Sequence, residues 1–195
     1  TPEDGMELLL YGKVSVYEPG GLYQFYVSEM EPAGMGSLYL AFEQLKKKLE
    51  AEGLFREEHK QKLPALPRRI GVITSPTGAA LQDILTTVRQ RYPYVKIVVA
   101  ESLMQGDEAP ADIARAIDRL NAREEIELII IARGGGSFED LAPFNSETVA
   151  RAIFHSRRPV LSAVGPETAF PIARVVAALP AANPTAAAAA AVAPT

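Results

Sequence analysis

The sequence predicts an α/β protein built around a parallel sheet, with a small β segment and a helix before it. Two runs rich in β-branched and aromatic residues open the chain, separated by a turn sequence. From residue 69 onward, short apolar runs alternate with helical patterns of about 10–15 residues. One of these runs, residues 129–131, is entirely isoleucine, which is typical of a strand buried on both faces. Such alternation predicts about four βα units with right-handed crossovers, a Rossmann-like arrangement.

The first 67 residues contain a predicted hairpin, a helix and a linker. Residues 7–17 and 22–31 flank the turn sequence Glu18-Pro19-Gly20-Gly21, and an isolated hairpin is marginal in water, so we expect it to belong to a larger sheet. Residues 32–36 break the strand pattern, and Ser37 can cap a helix that runs to about Glu52. Gly53 ends that helix, and a proline-containing linker follows to Pro67.

The α/β region is predicted to occupy residues 68–180. Its strands are expected at 69–74, 96–100, 127–132 and 159–164, and its helices at 78–91, 110–121 and 147–154. A glycine turn after the fourth strand leads toward a further helix. The sequence thus divides into a β segment at residues 1–33, a helix and linker at residues 34–67, an α/β domain at residues 68–180 and a tail at residues 181–195.

The tail is unusual in composition. Alanine dominates from Arg174 onward, residues 186–191 are alanine without interruption, and prolines stand at positions 180, 184 and 194. Alanine favours helix whereas proline interrupts it, and methyl side chains offer little to specify a fold. We therefore expect residues 181–195 to be poorly defined, and the alanine run suggests substituted or unassigned side chains.

Composition narrows the functional class. The 195 residues suffice for one substantial core plus a small module, and the net charge of −4 argues against a globally basic nucleic-acid coat while permitting a local groove. No apolar run is long enough for a membrane span, and no signal peptide is visible. The absence of cysteine excludes disulfides and thiolate metal sites and is compatible with a reducing cytoplasm.

Two familiar site chemistries are disfavoured. The histidines His59 and His155 have no partner at metal-ligand spacing, which argues against a histidine-based zinc site and a Ser-His-Asp triad. No G-x-G-x-x-G follows the first strand of the α/β region, so a dinucleotide-dependent enzyme is disfavoured as well.

The most informative motif follows the third strand of the α/β region. Arg133 precedes three glycines, whose backbone can turn sharply and approach a ligand, and the guanidinium can donate two parallel hydrogen bonds to a phosphate. Ligands of open α/β sheets bind outside the carboxyl ends of the strands, where this loop should lie. A solvated glycine-rich turn is the alternative. The candidate residues are Arg133, Gly134, Gly135, Gly136 and Ser137, with Glu139, Asp140 and Asn145 as accessory positions.

A second loop suited to anions follows the first strand of the α/β region. It is rich in hydroxyls and opens directly onto a helix, whose first-turn amides and dipole favour negative charge. The candidate phosphate-binding residues are Thr74, Ser75, Thr77 and Gly78. Ser75 or Thr77 could be a plain helix cap, a role that is compatible with phosphate binding. Asp83 lies one turn into the helix, where it could orient water or hold a metal, or remain a surface carboxylate.

Metal dependence is left open by the sequence. The carboxylates of Asp83, Glu139, Asp140 and Glu167 could bind a hard cation such as Mg²⁺, and ion-free surface roles fit them equally well. No cofactor is required by the residues themselves.

Several long motifs resemble those of one family, the large subunit of exodeoxyribonuclease VII. They agree in order and spacing along essentially the whole chain. The matching stretches include Tyr17-Glu18-Pro19-Gly20-Gly21, Gly71-Val72-Ile73-Thr74-Ser75 with Gly78-Ala79-Ala80 and Asp83, Arg133-Gly134-Gly135-Gly136-Ser137 with Glu139-Asp140-Leu141, Phe144-Asn145, and Ser162-Ala163-Val164-Gly165.

The resemblance implies a bacterial, cytoplasmic enzyme that cuts single-stranded DNA from either end into oligonucleotides. It implies that residues 1–33 are the closing strands of an OB-fold DNA-binding domain and that residues 68–180 are a catalytic nuclease domain. A later helical region, absent from this sequence, would bind small subunits. Asp83 and Arg133 fall on positions that the family uses in catalysis.

One motif departs from the family pattern. The family reads Gly-His-Glu-Thr-Asp where this chain has Gly165-Pro166-Glu167-Thr168-Ala169. Proline cannot act as an acid, base or metal ligand, and alanine has nothing to ionise. The substitutions at Pro166 and Ala169 predict that this chain does not cut DNA. The alternative function is a non-catalytic module that binds single-stranded DNA or a nucleotide phosphate.

Overall fold

The computed structural model describes residues 8–17, 22–32, 35–134, 139–165 and 171–192. The chain divides into two compact units, Thr1–Leu45 and Lys46–Thr195, and the boundary falls within the first helix. Within the described residues, no helix is both long and apolar enough to cross a membrane.

The first unit contains the predicted hairpin. Strands β1 (Leu8–Tyr17) and β2 (Leu22–Pro32) pair antiparallel, with a bulge between Tyr11 and Gly12. A Cβ at Gly12 would collide with the backbone carbonyl of Tyr26, so only glycine fits there. Large apolar side chains project from the hairpin into solvent; Val14 and Tyr23, for example, are 67% and 81% exposed.

Helix α1 (Met35–Ala51) begins two residues before the predicted cap, Ser37. Ser37 therefore lies inside its first turn, and the prediction that Ser37 caps this helix was wrong. The segment predicted as a linker contains a short 3₁₀ helix, Glu57–His59.

The second unit is a doubly wound sheet, as the sequence predicted. Its parallel strands lie in the order β4-β3-β5-β6-β7. They are β3 (Arg69–Thr74), β4 (Lys96–Glu101), β5 (Leu128–Arg133), β6 (Val160–Val164) and the two-residue β7 (Leu179–Pro180). The first four strands match the prediction to within a residue at each end.

Helices cover both faces of this sheet. They are α2 (Ala79–Arg91), α3 (Ala109–Asn121), α4 (Glu147–Phe154), α5 (Ile172–Val176) and α6 (Pro184–Ala191), with a 3₁₀ helix at Glu139–Asn145 before α4. Helices α2 and α6 pack together on one face, and α3, α4 and α5 pack in succession on the other. The central strand β5 is almost entirely buried, which explains its run of isoleucines.

The alanine-rich segment differs from the expectation. Instead of being poorly defined, residues 184–191 form α6, which begins with Pro184 in its first turn and an Asn183 side chain that accepts a hydrogen bond from the amide of Ala186, at 2.8 Å. Ala187 and Ala188 are completely buried in a cluster with strands β5 and β6. Small side chains let the helix backbone lie close to the sheet, so methyl groups are enough to pack it.

Candidate functional site

The strand order creates a crevice between β3 and β5. After β3 the chain passes through α2, on one face of the sheet, to β4. It then returns through α3, on the other face, to β5, which lies on the far side of β3, and it continues from β5 to α4 on that second face. The two loops therefore diverge at the carboxyl ends of neighbouring strands, which is where open α/β sheets bind ligands. Ile73 pairs with Ile131, so the loop after Thr74 and the loop after Arg133 begin at the same edge. Both predicted anion-suited loops begin at this switch point.

Arg133 is the principal cation at this edge. Its side chain is only 11% exposed, and its Nη2 atom lies 3.3 Å from Oδ2 of Asp140. That separation is longer than a strong charge-assisted hydrogen bond. Its Nη1 atom is buried and has no hydrogen-bond partner among the described residues. A buried, half-satisfied guanidinium is costly unless an anion completes its hydrogen bonds.

The N-terminus of α2 is the second anion-suited feature. Gly78 is the cap residue, so no side chain caps this helix, and the interpretation of Ser75 or Thr77 as a plain cap was wrong. A Cβ on Gly78 would lie 2.7 Å from the Ser75 hydroxyl oxygen, which shows how closely that oxygen approaches the helix start. Thr74 is buried and Thr77 is exposed. The Leu81 amide donates to the Gly78 carbonyl at 3.2 Å, whereas no side chain caps the earlier amides of this turn, which are the ones suited to an anion.

Asp83 lies in the second turn of α2 and is exposed. It is three residues after the buried Ala80 and four before the buried Thr87, so it flanks the helix face that packs on the sheet. Its backbone carbonyl accepts a hydrogen bond from the Thr87 hydroxyl, at 2.7 Å. The carboxylate is therefore accessible from solvent, and its role stays a prediction.

The 3₁₀ helix Glu139–Asn145 joins the loop after β5 to the loop after β6. Its last residue, Asn145, accepts a hydrogen bond at Oδ1 from the backbone amide of Ile172, at 2.9 Å. The next residue, Ser146, caps α4 by accepting from the amide of Val149. Asn145, predicted as an accessory position, is thus engaged in holding two loops of the sheet edge together.

Several predicted positions lie outside the described residues. These are Gly135, Gly136, Ser137, Glu167 and the departing positions Pro166 and Ala169. Gly134, which precedes them, is exposed, and a Cβ added to it would have no described atom within 4 Å. Glu139 is the first residue of the 3₁₀ helix. Gly165 directly follows β6 and has a φ of 76°, a conformation that favours glycine.

The loop after β4 is fixed by a residue that the sequence did not single out. Oδ2 of Asp112 accepts a hydrogen bond from the Leu103 amide at 2.8 Å, and Oδ1 accepts from Arg115 at 3.0 Å. The Leu103 amide is the main cause of a lowered pKa for the Asp112 carboxyl. An acidic residue in the first turn of α3 was the available signal, since carboxylates are favoured there.

The described residues contain no cluster of three or more histidines, aspartates and glutamates arranged to hold a metal ion. The two histidines lie against Phe154, with ring centroids 5.4 Å away for His59 and 5.2 Å away for His155. His155 ends α4, at the opposite edge of the sheet from Arg133.

Comparison with known proteins agrees with the motifs. A family model described as "Exonuclease VII, large subunit" matches residues 54–195. The exodeoxyribonuclease 7 large subunit of Geobacillus kaustophilus is 60% identical over 187 residues, which is 96% of this chain and 42% of the relative. Those of Halothermothrix orenii and Bacillus subtilis are 57% and 54% identical, each over 96% of this chain and 46% or 42% of the relative. The chain thus spans less than half the length of these relatives, and it belongs to the exonuclease VII large-subunit family.

Proposed function

We propose that this chain is the catalytic part of an exonuclease that hydrolyses phosphodiester bonds of single-stranded DNA from both ends to oligonucleotides. The observation that supports the proposal is the buried Nη1 atom of Arg133 at the switch point of the sheet, which has no hydrogen-bond partner among the residues that the structure describes. A phosphate bound there would complete the hydrogen bonds of the guanidinium and lie outside the open N-terminus of α2.

Each site residue has a role in this proposal. Arg133 neutralises charge that develops on the phosphate oxygens as water attacks phosphorus. Asp83 is the carboxylate that orients water or holds a cation such as Mg²⁺. Backbone amides of residues 134–137, with Ser75, Thr77 and Gly78 across the crevice, bind the remaining phosphate oxygens. In family members, the histidine at position 166 would move the proton.

This chain, as its sequence stands, is proposed to bind the strand without cutting it. Pro166 and Ala169 replace the histidine and aspartate of the family motif, so no group at those positions can exchange a proton. Phosphate binding by Arg133 and backbone amides needs neither residue. A non-catalytic binding module is therefore the second candidate function for this chain.

The wider assembly is also a proposal. The exposed apolar side chains of β1 and β2 fit a hairpin that completes an OB-fold with further strands. A helical region elsewhere in the full-length protein would bind the small subunit, and the complex would act on DNA in the cytoplasm.

Two measurements separate cutting from binding. In the full-length Geobacillus kaustophilus relative, replacing the residues aligned with positions 166 and 169 by proline and alanine should abolish oligonucleotide release and leave DNA binding nearly unchanged. Replacing the arginine aligned with position 133 by alanine should weaken both oligonucleotide release and DNA binding. Lysine at that position should restore little of either, because it lacks the planar guanidinium that donates two parallel hydrogen bonds. Unchanged cleavage by the arginine variant would remove Arg133 from the mechanism.

A further inference from the structure

A cluster of cations and tyrosines lies at the amino edge of the sheet, opposite Arg133. Arg68, Arg69, Tyr92, Tyr94 and Lys96 line an open depression of about 310 Å³ at the starts of β3 and β4. We call these five residues the amino-edge cluster. The two strands are six residues long, which places the cluster roughly 17–20 Å from the crevice. The cluster is thus a separate surface.

The positive charges of this cluster are compensated only in part. Arg69 and Lys96 are direct register partners, so two cations stand side by side on neighbouring strands, an arrangement that costs stability in the absence of an anion. Arg69 lies 3.6 Å from Glu125, and its side chain is 39% exposed. Within the described parts of the chain, Arg68 and Lys96 form no salt bridge. Glu127 also lies at the cluster, where its Oε1 atom accepts a hydrogen bond from the Arg68 backbone amide at 3.1 Å, so three cations face two nearby carboxylates.

The aromatic part of the cluster is exposed and held in place. Tyr94 is 81% exposed, more than any other large apolar side chain that the structure describes in the second unit. Its ring meets that of Tyr92 edge to face, with centroids 5.8 Å apart, and Tyr92 packs against the core. Pro93 lies between them in a turn closed by the Val95 amide donating to the Tyr92 carbonyl, at 3.3 Å. The turn and the packed neighbour present Tyr94 to solvent at little cost in entropy.

We propose that the amino-edge cluster binds single-stranded nucleic acid, with a base stacked on Tyr94 and backbone phosphates on Arg68, Arg69 and Lys96. Cations that follow a phosphate backbone, combined with an aromatic face for a base, are how proteins bind single strands without reading their sequence. An acidic protein segment would satisfy the cations but would leave the exposed ring without a role. The choice of DNA as the strand rests on the proposed function.

Binding of a fluorescent oligothymidylate of about 20 nucleotides to this chain tests the proposal by anisotropy. Tyr94→Ala should weaken binding at least about fivefold, whereas Tyr94→Phe, which keeps the ring, should stay within about twofold of the parent. Lys96→Gln should lower the slope of log affinity against log salt by about 0.7. Arg115→Gln removes one positive charge from α3, away from the cluster, and should leave the slope unchanged.

A direct reporter is available because the chain contains no tryptophan. In a Tyr94→Trp variant, unlabelled oligothymidylate should quench the indole emission as bases stack on it. The proposal is wrong if Tyr94→Ala binds as the parent does, if no binding occurs at low salt, or if only an acidic peptide changes the emission.

The outcomes also separate this proposal from the catalytic one. If Arg133→Ala weakens binding and the cluster variants do not, the cluster proposal fails while the proposed function stands. If the cluster variants weaken binding while the arginine variant of the full-length relative still cleaves, the cluster stands and the assigned mechanism fails.

Discussion

Asn145 accepts a hydrogen bond from the backbone amide of Ile172, and this bond joins the loop after β5 to the start of α5. The partners are 27 residues apart in sequence, Asn145 at the end of the 3₁₀ helix that follows β5 and Ile172 at the start of α5. The bond thus fixes the segment that follows β5 against the start of α5.

Removal of this bond should destabilise the chain and loosen the site edge. Asn145→Ala leaves the Ile172 amide without its acceptor, and we expect a loss of about 1–3 kcal/mol in the free energy of unfolding. Urea denaturation measures the loss. Asn145→Asp keeps an acceptor oxygen and should cost much less, so equal losses for the two variants would contradict the assigned role.

Gly71 should not tolerate a side chain. A Cβ there would lie 2.7 Å from a methyl of Leu120, which is itself only 2% exposed and cannot move aside freely. Gly71→Ala should therefore lower the free energy of unfolding by about 1–3 kcal/mol. Leu120→Ala should lower it by about 2–5 kcal/mol, because the smaller side chain leaves a cavity. The double variant should lose less than the sum, because the new methyl occupies part of that cavity. Strict additivity of the unfolding free energies would exclude this contact.

Acid should weaken the link between α1 and α4. Lys48 and Arg151 donate hydrogen bonds to Glu147, and the Lys48 contact is the main cause of a lowered pKa for the Glu147 carboxyl. Because the folded pKa is the lower one, the unfolded state takes up a proton first as the pH falls. The stabilisation is therefore present at neutral pH and is lost as the pH falls below the ordinary glutamate range and through the lowered pKa of the folded state.

The matched variant for this titration is Glu147→Gln. The urea midpoint of the variant should fall less steeply with pH over that range than the midpoint of the parent. High salt should reduce the difference, since both side chains of the Lys48–Glu147 pair are exposed. Parallel pH profiles at low salt would show that the pair contributes nothing to acid stability.

The start of α6 should depend on Asn183. Asn183→Ala removes the acceptor for the Ala186 amide and should cost about 0.5–2 kcal/mol, whereas Asn183→Ser retains a capping oxygen and should cost little. Amide hydrogen exchange in residues 186–191 should accelerate in the alanine variant before exchange in β5 does. Unchanged protection of α6 would mean that packing alone holds the helix.

The main strands were predictable because burial on both faces demands continuous apolar runs, as in residues 129–131. The fifth strand, Leu179–Pro180, was missed because two residues leave no periodic signal. Helix α6 was missed for another reason. Residues 186–191 are all alanine, so no alternation of apolar and polar residues marks a buried face, and the position of the helix depends on its packing against the sheet.

The candidate site was predictable only in part. The edge shared by Arg133 and the loop after Thr74 follows from the parallel strand pattern. The contacts within the site could not be predicted from that pattern. The Arg133–Asp140 pair and the Asn145–Ile172 hydrogen bond involve irregular segments, which have no periodic pattern in the sequence. The cap of α2 was misassigned because hydroxyls at Ser75 and Thr77 are the stronger capping signal, yet the backbone places Gly78 there.

Helix α6 also sets a lower limit on the length of an independently stable fragment. It covers the face of β5 and β6 that includes Ile130, Leu161 and Ala163, all of which are fully buried. A chain cut before Asn183 would leave that apolar surface in water, where it favours aggregation over folding. Dissection of this family into soluble pieces for biophysical work must therefore keep the sequence through Val192, although its alanines are chemically inert.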